Sequence, residues 1–294
     1  MNLLVNTIVG KAEKKFIRPL ALSGAILFGG YTVIKKCLTI AGSDCSGGAG
    51  IQADLKTFSA HGCYGASVIT SVVAENTSRV ISVCNVPVNE IENQIDAVFE
   101  DIEVDAVKLG MLPTTEIIGA VAEKLRQYKP RIVVCDPVMI ATSGDALSEN
   151  GVFQAFIDYM FPIADLITPN IVEAEIFLGG YIDDVLNMEE AARILHEYGA
   201  KTVLVKGGDL NGEPVDVLFD GNEYLKLSAR RIDSPNTHGT GCTLSSAITA
   251  NLAKGAEMKE AVRLAKNYIT NAIERSYTVG KGHSPVNHFY DIWK

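Results

Sequence analysis

The sequence is short of the features that would tie it to nucleic acid, to zinc or to a membrane. Its 26 lysines and arginines are outnumbered by 35 aspartates and glutamates, which leaves a formal net charge of -9 over 294 residues. A surface of that sign repels phosphate backbones and argues against a nucleic-acid partner. A small anionic ligand stays compatible, because a local cluster of donors holds it against the net charge. None of the six cysteines (Cys37, Cys45, Cys63, Cys84, Cys135 and Cys242) forms a C-x-x-C pair, and no Cys/His group has zinc spacing. Scattered single cysteines read as free thiols of a reducing compartment, so a cytoplasmic location is expected. Each thiol is by default a small buried apolar group.

No membrane partner is expected either. The uncharged stretch between Arg18 and Lys35, PLALSGAILFGGYTVI, has 16 residues and contains Pro19, Gly24, Gly29 and Gly30. That falls short of the roughly 18 apolar residues a span needs. The stretch follows Lys11, Lys14, Lys15 and Arg18, and so imitates a signal peptide or short anchor. No clear small-x-small cleavage site follows it. Residues 1–36 are therefore expected to be an atypical extension ahead of one domain over 37–294. No repeat, low-complexity linker or Pro/Ser-rich boundary divides the chain after residue 36.

What is present is alternation. Short apolar runs predict strands at 37–41, 66–73, 106–109, 132–135, 166–168 and 202–206. Amphipathic stretches predict helices at 51–60, 88–100, 116–127, 150–159 and 187–198, with two more at 241–253 and 257–274. Two further runs, 215–219 and 224–227, flank Asp220-Gly221-Asn222, a hairpin signal. Strands that are apolar throughout, separated by helices, indicate an α/β fold with a mostly parallel central sheet covered on both faces. Ligands of such sheets bind beyond the carboxyl ends of strands.

The unusual residues cluster at those ends. AGSDCSGGAG (41–50) follows the first strand, and its glycines allow close backbone approach or simply a tight turn. It is neither a Walker A loop nor a dinucleotide fingerprint. NTHGTGCT (236–243) runs small residues into a helix, whose N-terminus offers free N–H groups and about half a positive charge to a phosphoryl group. Cys242 falls in that first turn, where the same field is expected to favour thiolate and make a base; the blander alternative is a packed helix residue. Asp136 ends a strand, and Asn170 and Glu173 follow another on one helical face. These oxygen donors suit Mg2+, and equally a capping box. Lys206 precedes two glycines and can reach nucleotide phosphates. A phosphate cradle, a metal site, a cation and a base are the parts of phosphoryl transfer.

LTIAGSDCSGGAGIQADLKTFSAHGCYG, VKLGM, DPVM, TPNIVEAE, VKGG, NTHGTGCTLSSAITA and GKGHSPVNHF together resemble the hydroxymethylpyrimidine/phosphomethylpyrimidine kinases of thiamine biosynthesis, over about 36–290. The resemblance implies a ribokinase-like three-layer αβα fold and two ATP-driven phosphorylations of 4-amino-5-hydroxymethyl-2-methylpyrimidine. It implies that Gly42, Asp54, Val73, Glu75, Met111, Val138 and Cys242 line the pyrimidine pocket. Lys206, Asn170 and Thr240 would serve ATP, Asp136 and Glu173 the Mg2+, and Gly239, Thr240, Gly241 and Cys242 an anion hole. Cys242 and Lys206 would be catalytic. A homodimer is also implied. This chain carries Glu75 where the family often has Gln, and Ser284 where it usually has Gly. A vitamin B6 (pyridoxine, pyridoxal, pyridoxamine) kinase is the alternative on the same fold. A non-catalytic ligand sensor is disfavoured by Asp136, Lys206 and Cys242 together.

Overall fold

The computed structural model describes residues 27–28, 31–139, 147–149, 151–208, 210 and 212–293. The chain divides into two units, Met1–Val33 and Ile34–Lys294. In the first, Leu27–Phe28 (β1) and Tyr31–Thr32 (β2) pair antiparallel. Most of the basic and apolar segment read in 1–36 lies outside the described residues. No helix among the described residues is long and apolar enough to cross a membrane.

The second unit alternates as its hydrophobic runs predict. Its elements are β3 (Lys36–Asp44), α1 (Gly50–Ala60), β4 (Tyr64–Asn76), β5 (Arg79–Asn85), α2 (Val88–Phe99), β6 (Ala106–Leu109), α3 (Thr115–Tyr128), β7 (Val133–Cys135), α4 (Val152–Ala155), β8 (Leu166–Ile167), α5 (Ile171–Leu178), α6 (Val185–Glu197), β9 (Val203–Val205), β10 (Val215–Phe219), β11 (Tyr224–Ser228), α7 (Thr240–Ala253) and α8 (Met258–Glu274). The nine strands of this unit form one sheet in the order β11-β10-β9-β8-β7-β6-β3-β4-β5. The six from β9 to β4 run parallel. β5 at one edge, and β10 with β11 at the other, are antiparallel additions. Strand order reverses between β3 and β6, which places the switch point, and any ligand crevice, above those two strands.

Side chains alternate across the sheet with period two. Val133, Cys135, Val203 and Val205 face a core built with α2 to α6. Val134 and Leu204 face the opposite way, onto α7 and α8. Phe58 of α1 packs with Cys37 and Ala250 on that second side. The result is the expected three-layer αβα arrangement.

Two elements differ from expectation. β5 gave no strand signal because it is an edge strand exposed along almost its whole length, with Ile81 at 62%. Only strands packed on both faces need continuous apolar runs. The helix expected over 150–159 is one α turn, then a π turn (Phe156–Met160) and a 3-10 turn (Phe161–Ile163). Val152, Ala155, Phe156, Met160 and Phe161 are all buried there, so packing has displaced the regular ladder.

Candidate active site

The carboxyl ends of the parallel strands open into a cleft of about 930 Å³. Ten residues singled out in the sequence line it: Glu75, Asp136, Val138, Asn170, Glu173 and Lys206 from strand ends, and Gly239, Thr240, Gly241 and Cys242 from the start of α7. Chain segments up to 167 residues apart thus meet at one place because the parallel strands end on one side and the N-terminus of α7 packs against those ends.

Two glycine-rich turns form the floor. Gly239 caps α7 with φ +75, and a Cβ there would lie 1.9 Å from the Gly48 carbonyl oxygen, so the turns touch backbone to backbone. Gly50, which opens α1, has φ +54 and leaves no room for a side chain beside the Gly42 carbonyl. Asp44 ties the turns together. Its Oδ2 accepts from the Gly48 and Ala49 N–H groups, at 3.0 and 2.7 Å, and from the Ser46 hydroxyl. The His238 Nε2 lies 2.9 Å from the same oxygen. Burial works to raise the Asp44 carboxyl, but the His238, Ser46 and Ala49 bonds outweigh it and hold it well below the usual range. Glu75 brings a second carboxylate to within 4.8 Å of this pair. Asp44 is already committed to the loop, so the group reads as loop architecture with one carboxylate, Glu75, turned to the cleft.

The opposite wall carries charge. The Asp136 Oδ1 accepts from Lys206 Nζ at 2.7 Å and from the Thr168 hydroxyl at 2.8 Å, while Oδ2 accepts from Ser245 at 3.2 Å. Burial alone would raise this carboxyl; Lys206 and Lys108 outweigh it and keep it ionised. Asn170 caps α5 and Glu173 completes the capping box, as the spacing allowed. Glu173 stands 4.0 Å from Lys206. Burial, with Asp136 adding, pushes its carboxyl up to about 7 against the pull of Lys206. The two functional walls meet at Gly241, where a Cβ would stand 3.3 Å from Lys206 Nζ and 3.6 Å from Asp136 Oδ2. Asp136 and Glu173 offer hard oxygen donors, both buried at the cleft wall and beside Lys206, a donor set that fits Mg2+.

Cys242 occupies the first turn of α7, partly covered on the cleft. The shift runs opposite to the one the helix terminus alone predicts. Burial pushes the thiol up to about 11, and Asp54 and Asp136 add to the rise. Lys108 and an N–H from Gly50 oppose it without prevailing. The helix terminus is real, but desolvation and two carboxylates outweigh it.

Four residues expected at the pyrimidine are not among those that line this cleft. Gly42, Val73 and Met111 are buried, and a Cβ on Gly42 would stand 3.1 Å from Met111 Sδ. Asp54 has no exposed surface: its Oδ2 faces Lys108 Nζ at 2.9 Å and its Oδ1 accepts from Ser246 at 2.6 Å. A residue of α1 is thus committed to the interior before any ligand arrives. Other residues had no assigned part. His238 was visible in the NTHGTGCT run, but its partner 194 residues away was not. Arg230, Arg231 and Lys266 add cations to the cleft wall. Arg231 also anchors the preceding loop through the Gly212 and Gly208 carbonyls, at 2.6 and 3.1 Å.

A family model described as phosphomethylpyrimidine kinase matches residues 44–287. The chain is 52% identical over 252 residues to the thiamine biosynthesis bifunctional protein of Geobacter sulfurreducens, covering 85% of this chain but only 51% of that one. It thus spans about half the length of that relative. It is 50% identical over 261 residues to the hydroxymethylpyrimidine/phosphomethylpyrimidine kinase of Rhizobium meliloti, covering 87% of this chain and 98% of that one. Among solved structures, an ADP complex of Bacillus subtilis pyridoxal kinase superposes with a TM-score of 0.81 at 42% identity, covering 87% of this chain and 97% of the other. With the family model matching residues 44–287 and a relative 50% identical over nearly its whole length, the chain belongs to the phosphomethylpyrimidine kinase family.

Proposed function

We propose that this chain is an ATP-dependent kinase that phosphorylates the hydroxymethyl group of 4-amino-5-hydroxymethyl-2-methylpyrimidine, and then the resulting monophosphate. One observation carries the reading: the α7 N-terminus brings Cys242 and the Gly239–Gly241 turn against Lys206 and Asp136 on one cleft. In the first step the substrate oxygen forms a bond to the γ-phosphorus as the bond to the β-γ bridging oxygen breaks. ADP leaves with that electron pair. The hydroxyl proton passes to the sulfur of Cys242, which must be thiolate to accept it. N–H groups of the α7 turn face the transferring group, and Lys206 offsets its charge. Asp136 and Glu173 would hold Mg2+, which when bound supplies charge neutralisation at the phosphates.

Substrate identity rests on the family and on Glu75, whose carboxylate suits an amino-bearing ring edge. The B6 alcohols are the second reading, supported by the likeness to the B. subtilis pyridoxal kinase fold. A coupled assay over hydroxymethylpyrimidine, its monophosphate, pyridoxine, pyridoxal and pyridoxamine decides between them. The proposal expects the highest kcat/KM on the pyrimidines. A preference for a B6 alcohol overturns the substrate, and no transfer to any of them overturns the kinase. The resemblance supports a homodimer, which sedimentation of the purified chain tests, and the six free cysteines support a cytoplasmic location.

A further inference from the structure

Beneath the cleft lies a charge pair that the mechanism above does not use. Lys108, in the buried strand β6, and Asp54, in α1, are both fully enclosed, with Nζ 2.9 Å from Oδ2. Thr39 of β3 pairs in register with Lys108 and donates to the same Asp54 oxygen at 2.6 Å. Ser246 donates to the other oxygen at 2.6 Å, and it sits one helical turn after Cys242 on α7. The pair therefore joins the sheet, α1 and the helix that carries the thiol.

A fully enclosed ion pair is an expensive way to join three elements. Desolvating both charges offsets most of their attraction, and apolar residues of the same volume often serve stability as well or better. The hydrogen bonding is also lopsided. Asp54 accepts from three partners, while the ammonium, with three N–H groups, donates to Asp54 alone among the described residues. Much of the positive charge is left facing its surroundings in a region of low dielectric. The groups that act on Cys242 there are Asp54 from α1, Asp136 after β7, Lys108 from β6 and the Gly50 N–H. Lys206, on the cleft, also acts on the thiol; Lys108 is the sealed cation of the two and the one that lowers the thiol most.

We propose that Lys108 is a positioning residue for phosphoryl transfer: held by Asp54 under α7, it supplies the positive field that lets Cys242 exist as thiolate when the substrate proton arrives. Lys108 touches neither the cleft nor the reacting atoms, and it acts through the thiol. The direction found for Cys242 agrees, since Lys108 draws the thiol down against burial and two carboxylates. The inference rests on Cys242 being the base in the proposed function.

The test reads the thiol itself. Iodoacetamide alkylation of the full chain, followed on the Cys242 peptide by mass spectrometry, gives the thiolate fraction at each pH whether or not the chain turns over. Lys108→Gln keeps a hydrogen bond to Asp54 and removes the charge. It is expected to slow Cys242 alkylation at pH 8 by about tenfold, the effect of about one pH unit on thiol ionisation. The rising limb of kcat should move to higher pH by the same amount, with the KM for ATP unchanged. Lys108→Arg keeps the charge and should restore both. Because Lys108→Gln leaves Asp54 without its cation, the double variant Asp54→Asn/Lys108→Met, with no buried charge remaining, is the safeguard against misfolding. It should slow alkylation in the same direction by a smaller factor. A purely structural role predicts the opposite sign, since a loosened α7 exposes the thiol and speeds alkylation. Unchanged or faster alkylation in both variants overturns the proposal. Failure of the base assignment is a separate result: Cys242→Ala would then turn over normally while the alkylation data stood.

Discussion

Two lysine–aspartate pairs flank the first turn of α7. Lys206 and Asp136 lie 2.7 Å apart with the lysine side chain 13% exposed, and both residues line the cleft. Lys108 and Asp54 lie 2.9 Å apart with both side chains at 0%. Sequence separation is similar, 70 and 54 residues, and so is the local chemistry. The difference is solvent. A cation on a cleft can turn to a phosphate and exchange Asp136 for a ligand. A sealed cation can only act at a distance, on whatever shares its low-dielectric surroundings. On the proposed mechanism one pair meets a substrate and the other sets the conditions under which a neighbouring thiol ionises.

The comparison can be broken first on stability. Lys108→Met leaves Asp54 charged and enclosed, and is expected to lose about 3–5 kcal/mol in urea unfolding. Lys206→Met should lose clearly less, because water reaches that side. Equal losses would mean that the two pairs are alike. Activity reverses the order of directness. Lys206→Ala is expected to lower kcat by about 10² to 10³-fold, the usual effect of removing one group that stabilises transferring charge. Circular dichroism of that variant should match the parent.

A smaller effect separates the two walls by pH. Turnover through a Cys242 thiol pushed up to about 11 rises with pH, by about tenfold per unit below that value, because only the thiolate accepts a proton. Glu173, pushed up to about 7 by burial, gains a proton as pH falls through that value. The KM for ATP should therefore rise on the acid side while the KM for the alcohol stays level. A pH profile in which both constants move together would merge the walls that the geometry separates.

The cleft wall was legible in the sequence because each of its parts is a contiguous run at a strand end. Asp136, Asn170, Glu173 and Lys206 follow apolar strands, and Gly239 to Cys242 precede a helix; in a parallel sheet all such positions converge. The second pair was not legible in that way. Lys108 interrupts an apolar strand, and periodicity offers no partner for it; only the packing of α1 and α7 over β6 supplies Asp54 and Ser246. Asp54 was accordingly expected in the pocket. The Cys242 thiol failed for a related reason. The helix terminus is a local feature and visible, whereas burial and the fields of Asp54 and Asp136 come from segments far along the chain. Strand β5 escaped because exposure leaves no apolar signature.

The central claim is that Cys242 takes the hydroxymethyl proton. The direct measurement is kcat for Cys242→Ala with ATP and hydroxymethylpyrimidine, beside the affinity of the same variant for ATP. The account predicts a loss in kcat of about 10² to 10⁴-fold, the range for a general base, with ATP affinity near that of the parent. A Cys242→Ala enzyme whose kcat stays within about twofold of the parent would contradict it.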